Sequence, residues 1–303
     1  MATYLITGGA GFIGTNLVKM LLSEGHAVRV VDNYAAGKKP ERILAGAEYI
    51  EGDVRNYAGI LAASRGVDGI FHLAAVPRVT YSVEHPAEAH DNNVNGTLNV
   101  LLCARDAGVK RVVFSSSSAV WGDQPSYPVP EAAVPRPLSP YGLQKLVGEH
   151  YCRLFADLYG LETVVLRYFN IYGSYMDPEG AYALVIGKFL KQKREGIPLT
   201  ICGDGEYYRD YTHVSDAARS NVLAMLSPRV GRGEVIEIGC GAPHSTNQVA
   251  GLVGGPSNHI EPRPGDMRYA MADVAKAKQL LNWEPKIDLA TGISLLKAEW
   301  GVE

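Results

Sequence analysis

The stretch Thr3-Tyr4-Leu5-Ile6-Thr7-Gly8-Gly9-Ala10-Gly11-Phe12-Ile13-Gly14 decides the fold. Its first five residues read as a short buried strand, and the spaced glycines Gly8, Gly11 and Gly14 follow at once. Ile13, Leu17, Val18, Leu21 and Leu22 then make an apolar stripe at helical spacing, which Gly25 ends. Residues 27–31 are the next strand, closing on Asp32. Glycine here lets the chain turn tightly. It also lets the backbone approach a pyrophosphate at the helix N-terminus, where the helix dipole favours negative charge. An acid after the second strand can accept from both hydroxyls of an adenosine ribose and repels a 2′-phosphate, so Asp32 favours NAD over NADP.

Outward from this unit the alternation continues. Strands are expected at 48–51, 69–73, 111–115 and 163–168, with helices between them, one over roughly 87–107. This pattern means a parallel, doubly wound sheet with ligands at the carboxyl ends of its strands. Asp32, Asp53, Ala74, Ser117 and Asn170 all fall at or just past such ends. His72 lies inside a strand and reads as a satisfied core histidine. Further on, helices are expected at 181–194, at 215–226 with Ser215 as N-cap, at 272–281 and at 289–300. A strand at 199–202 and one at 234–238 that rejoins the main sheet complete the set.

Ser139-Pro140-Tyr141-Gly142-Leu143-Gln144-Lys145 opens a helix expected to reach Tyr159, with Gly160 just past its end. Tyr141 and Lys145 are four apart and share a face. A phenol titrates near ~10, and a nearby ammonium favours its phenolate, so the pair is a candidate base for an alcohol proton. The run Ser115-Ser116-Ser117-Ser118 reaches the same rim and offers a hydroxyl beside the Tyr.

The chain of 303 residues suits one large α/β domain, or a large one with a small lobe. Apolar residues at 47% and charged residues at 20% are ordinary for a soluble globular protein. The net charge of −3 lacks the basic footprint of a nucleic-acid binder. Cys103, Cys152, Cys202 and Cys240 are far apart and show no metal-ligand spacing, which predicts reduced thiols in a cytoplasmic protein. Met1-Ala2-Thr3-Tyr4 has no basic leader region and no apolar run is long enough to cross a bilayer, so no membrane is expected.

In combination and in order, the glycine loop, Asp32, Asp53-Val54, the serine run, Tyr141-x-x-x-Lys145 and Arg167-Tyr168-Phe169-Asn170 resemble the extended short-chain dehydrogenase/reductase family, in its nucleotide-sugar epimerase and dehydratase branch. The resemblance implies an α/β Rossmann sheet, doubly wound and parallel, with a smaller α/β C-terminal substrate lobe. Residues 1–170 and about 212–239 would bind NAD; about 171–211 and 240–303 would bind a UDP-sugar. It implies catalysis by Ser117, Tyr141 and Lys145 and no metal. It implies NAD contacts from Gly8, Gly11, Phe12, Ile13, Gly14, Asp32, Asn33, Asp53, Val54, Leu73, Ala74, Ala75, Asn92, Ser115, Tyr141, Lys145 and Phe169. Substrate contacts would come from Ser117, Tyr141, Asn170, Arg209, Arg268 and Ala270, with the two arginines on the diphosphate. Asp204 and Tyr207-Tyr208 receive no role.

Dehydratases and decarboxylases of this branch carry an acid just after the catalytic Ser or Thr. Ser118-Ala119 stands there, and the Cys and His of the fucose synthase type are also missing, so the resemblance points to a 4-epimerase. It implies that Tyr141 deprotonates the sugar 4-hydroxyl, Ser117 bridges the two oxygens, and Lys145 lowers the Tyr141 pKa. C4 is oxidised transiently, and the 4-keto sugar turns over before reduction from its other face. Val76-Pro77-Arg78 and Asp177-Pro178-Glu179-Gly180-Ala181-Tyr182-Ala183 look like the UDP-N-acetylglucosamine type. Ala270 at the gate of the sugar pocket admits an acetamido group without requiring one, so UDP-glucose and UDP-glucuronate stay open. Trp121 departs from the usual Tyr of Val-Tyr-Gly. A homodimer through the helices near 92–107 and 140–159 is implied. The alternatives are a dehydratase or reductase of the same family and, more remotely, a non-catalytic NAD-sensing protein.

Overall fold

The first half of the chain alternates strand and helix: β1 (Thr3–Thr7), α1 (Phe12–Ser23), β2 (Ala27–Asp32), β3 (Ala47–Glu51), α2 (Tyr57–Ser64), β4 (Gly69–His72), α3 (Val79–Glu84), α4 (Pro86–His90), α5 (Gly96–Asp106), β5 (Arg111–Ser117), α6 (Pro140–Tyr159) and β6 (Glu162–Tyr168). The rest runs β7 (Ile171–Tyr172), α7 (Val185–Arg194), β8 (Leu199–Cys202), β9 (Tyr208–Arg209), β10 (Thr212–His213), α8 (Val214–Leu226), β11 (Arg232–Ile238), β12 (His244–Ser245), α9 (Thr246–Val253), β13 (Ser257–Ile260), α10 (Ala275–Leu281) and α11 (Leu289–Trp300). The computed structural model describes residues 1–130, 132–177, 185–262 and 267–302. The expected helix start at 181 and the 177–183 motif beyond Asp177 lie outside the described residues.

Seven strands form the central sheet in the order β11-β6-β5-β4-β1-β2-β3. Every neighbouring pair is parallel. This is the doubly wound Rossmann sheet expected from the alternation. Strand order reverses direction between β1 and β4, which opens a crevice beyond their carboxyl ends. Both faces of the sheet are covered, so β5 shows a continuous apolar run: Val112, Val113 and Phe114 are all fully buried. One apolar cluster joins α1 and α8 to the sheet through Leu17, Leu21, Val214 and Ala217. A second holds α2, α5 and α6 on the other side through Ile60, Val100, Cys152 and Phe155. A third gathers Tyr172, Phe189, Leu199, Val249 and Ile293. Within 240–303, Ala277, Leu281 and Trp283 belong to the first cluster, and Leu289, Ile293 and Leu296 to the third.

Several boundaries differ from the sequence reading, each for a local reason. β5 runs on to Ser117, whose Cα partner is Tyr168, so Ser117 ends the ladder and does not follow it. The helix expected over 87–107 is interrupted by a π-turn at Asp91–Asn95, which leaves Asn93 buried. The Asn93 side chain accepts from Val76 N at 2.7 Å and donates to Val76 O and Gln144 Oε1. His213, not Ser215, caps α8; its Nδ1 accepts from Ser215 N at 3.3 Å. The helix expected from 272 starts at Ala275. The amides of Ala272 and Asp273 are bound instead to the carboxylates of Asp210 and Glu237.

Candidate active site

The glycine loop lies against the end of β4. Gly8 has φ +72°, and a Cβ there would stand 2.7 Å from Ala74 N. A Cβ on Gly14 would come within 2.3 Å of Gly8 O. Gly11 is the N-cap of α1 and no side chain caps that end, so the first amides of the helix face the loop without an intrahelical partner. Asp32 Oδ2 accepts from Ala10 N at 3.0 Å and Oδ1 accepts from Tyr34 N at 2.8 Å, which fixes the carboxylate beside the loop. Asp53 accepts from Asn33 Nδ2 and from Arg55, and those donors hold its carboxyl well below the usual range. A glycine-rich loop, an uncapped helix end and an oriented acid at the next strand end are what a dinucleotide needs. The residues therefore fit NAD: the loop and α1 for its pyrophosphate, and Asp32 for the ribose.

Leu73, Ala74 and Ala75 follow β4 along the same crevice, and Ala74 N reaches Thr7 Oγ1 at 3.4 Å. His72 is buried between the Thr7 and Thr97 hydroxyls at 2.7 and 3.0 Å, and burial pushes it down to about 3. It is a satisfied core histidine, as the strand position implied. Phe12 and Ile13 pack on the first cluster, Val54 and Phe169 are buried, and Asn92 Nδ2 is turned to Glu88 O at 3.0 Å.

The start of α6 brings the reactive groups together. Ser139 Oγ accepts from Gly142 N at 3.1 Å and Pro140 brings no N–H, leaving the Tyr141 amide to be satisfied. Ser82 Oγ, from α3, accepts it at 3.0 Å. Ser82 is fully buried and carries no motif, so nothing in the sequence marked it. Ser117 lies beside the Tyr141 hydroxyl and favours its ionised form, and Ser117 Oγ accepts from Ala119 N at 3.2 Å. Lys145 Nζ donates to Ser115 O at 2.7 Å and sits 5.9 Å from the centre of the Tyr141 ring. Ser115 Oγ in turn donates to Tyr168 Oη at 3.3 Å.

The electrostatics differ from the simple expectation. Burial pushes the Tyr141 hydroxyl up to about 12, with the Ser117 hydroxyl pulling the other way. The Lys145 ammonium is directed to a carbonyl and not to the phenol. Burial lowers that ammonium to about 8, so at neutral pH it stays mostly charged. Burial therefore favours the neutral phenol of Tyr141, and positive charge placed beside it would favour the phenolate.

The expected substrate residues form a second set. Tyr208 N donates to Arg268 O at 2.9 Å and Ala270 N to Tyr208 O at 3.1 Å, so β9, with Arg209, runs beside the Arg268–Ala270 strip. Arg209 Nη1 donates to Tyr208 O at 2.9 Å. Arg268 Nη1 bonds both oxygens of Asp204 at 2.8 Å and the guanidinium lies over Tyr207 at 4.6 Å. That explains Asp204 and Tyr207, which the sequence left without roles. Ala270 is buried. Asn170, at φ +32°, donates its amide to Asp210 O at 2.9 Å.

Residues 4–239 match the NAD dependent epimerase/dehydratase family. The chain is 37% identical over 297 residues to a putative UDP-glucose 4-epimerase of Methanocaldococcus jannaschii, covering 95% of each chain. The UDP-glucose 4-epimerase of Thermotoga maritima, solved with UDP-glucose, superposes with a TM-score of 0.92 at 38% identity, over 99% of this chain and 98% of that one. The UDP-N-acetylglucosamine 4-epimerase of Methanobrevibacter ruminantium, solved with UDP-N-acetylmuramic acid, superposes with a TM-score of 0.91 at 31% identity, over 98% and 99%.

Proposed function

Since the chain belongs to the NAD dependent epimerase/dehydratase family, we propose that it inverts C4 of a UDP-hexose through a 4-keto sugar. It is an NAD-dependent nucleotide-sugar 4-epimerase. The observation that carries the chemistry is the Ser117 hydroxyl at the end of β5, placed beside the Tyr141 hydroxyl so that it favours the ionised phenol, with Lys145 one helical turn further along α6. Tyr141 takes the proton of the sugar 4-hydroxyl, Ser117 holds the oxygens in line, and the pair returns the proton once the sugar has turned over. NAD, when bound, supplies a reversible acceptor for the C4 hydride and a positive ring that favours the phenolate. Lys145 adds its charge and keeps the end of β5 fixed through Ser115.

In this reading residues 1–170 and about 212–239 hold NAD, and about 171–211 and 240–303 hold the UDP-sugar. The third apolar cluster supports a separate lobe, and α10 is the part that packs back on the sheet. Arg209 and Arg268 clasp the diphosphate, with Arg268 exchanging Asp204 for phosphate oxygens. The small side chain of Ala270 leaves room for an acetamido group. The exposed Leu143, Leu154 and Leu158 share one face of α6 and support a homodimer through that helix. Four unpaired cysteines support a cytoplasmic setting, and among the described residues no helix is long and apolar enough to cross a membrane.

Incubation with UDP-glucose, UDP-N-acetylglucosamine and UDP-glucuronate, followed by separation of C4 epimers, tests the reading. The expected result is the C4 epimer of the first two with no net NADH change. Net NADH consumption or a 4-keto-6-deoxy product would place the chain elsewhere in the family.

A further inference from the structure

Trp121 stands in a buried polar chain that links the serine run to the Arg268–Ala270 strip. Ser116, the neighbour of Ser117, donates to Glu149 Oε1 at 2.5 Å. Arg167 forks onto the same carboxylate at 2.8 and 2.6 Å. Its guanidinium lies over the Trp121 ring at 4.3 Å. The indole N–H donates to Glu237 Oε1, and Glu237 Oε2 accepts from Asp273 N at 2.7 Å. All five side chains are buried. Asp273 lies three residues past Ala270. The next amide inward, Ala272 N, is held by Asp210, which also accepts from Cys240 N and Gly241 N.

A cleft of about 420 Å³ opens beside Trp121, Val129, Glu237 and Asp273, while Trp121 and Val129 also pack with Phe169 and Ala272 in one apolar cluster. The hydrogen bonds through Glu237 act together with that packing to set the position of the strip. Phe in place of Trp121 would leave a buried carboxylate oxygen without its donor, and such a group is costly to leave unmet. Glu237→Gln can accept from only one of the two N–H groups, because its other terminal atom is itself a donor.

We propose that Trp121 and Glu237 are positioning residues that hold the Arg268–Ala270 strip at a fixed distance from Ser117, and so set the affinity of the sugar pocket. This deepens the 4-epimerase reading and rests on it for the identity of the pocket. The tie explains why a Trp can stand where the family usually has Tyr: its N–H reaches past β6 to an acid of strand β11.

The test is amide hydrogen exchange on ligand-free Trp121→Phe, Glu237→Gln and the double variant, with KM for UDP-glucose measured alongside. Exchange at residues 268–274 should rise about tenfold in either single variant, as expected for one lost buried hydrogen bond. The double variant should go little further than the larger single effect, because both act on one tie. KM should rise about two- to thirtyfold, with kcat and bound NAD little changed. Unchanged exchange at 268–274 in Glu237→Gln, or additive effects in the double variant, would overturn the proposal. A wild-type chain that converts no UDP-sugar would overturn the catalytic reading instead, because the exchange measurement needs no substrate.

Discussion

Tyr141→Phe should lose about 10²–10⁴ in turnover, the range that a positioned general base supplies. The substitution removes one oxygen from a buried ring and leaves the rest of α6 in place. Its amide still donates to Ser82, Ser139 still caps the helix, and Lys145 still holds Ser115. Fold and NAD content should therefore survive. The missing oxygen is the one that Ser117 lies beside. Without it the Ser117 hydroxyl, a far weaker base, is left with the proton. The check is kcat together with NAD released on denaturation and the melting temperature. Turnover within twofold of wild type would remove Tyr141 from the mechanism; lost turnover with lost NAD would mean that the site had been disrupted and not merely disarmed.

Glu149→Ala should cost about 3–5 kcal/mol of stability, because it strips the partner from a buried cation. Arg167 is 6% exposed and gives two nitrogens to Glu149, while the Trp121 ring covers its face. A guanidinium cannot shed its charge at any working pH, so it must draw in water or distort the start of the serine run. Ser116 loses its acceptor in the same step. A folded protein has only about 5–15 kcal/mol to lose, so the urea midpoint should fall steeply. Glu149→Gln, which keeps one acceptor, should fall less. A midpoint unchanged in Glu149→Ala would mean that Arg167 finds another partner.

Much of this architecture was legible because its signals are local. The glycine loop, the stripe on α1 and Asp32 specify a strand, a tight turn and a helix within thirty residues, and the sheet repeats that logic. Ser139, Pro140 and Gly160 mark both ends of α6. What escaped was set by contacts between distant parts of the chain. Ser82 meets Tyr141 across 59 residues, and Arg268 meets Asp204 across 64. The choice of Lys145 between the phenol and a backbone carbonyl depends on how β5 and α6 pack. Burial is a property of the whole fold, and it reverses the shift that the Tyr-Lys spacing suggested. Trp121 looked like a departure from a motif until β11 placed Glu237 beside it.

The central claim is that this phenol becomes a base only when positive charge is brought next to it. The direct measurement is a tyrosinate absorbance titration of the NAD-loaded protein against the nucleotide-stripped protein, with Tyr141→Phe as the reference. The account predicts that one phenol of the loaded protein ionises well below the ordinary value of 10.0, and that this step vanishes on stripping and in the variant. Identical titrations for loaded wild type and Tyr141→Phe would contradict it.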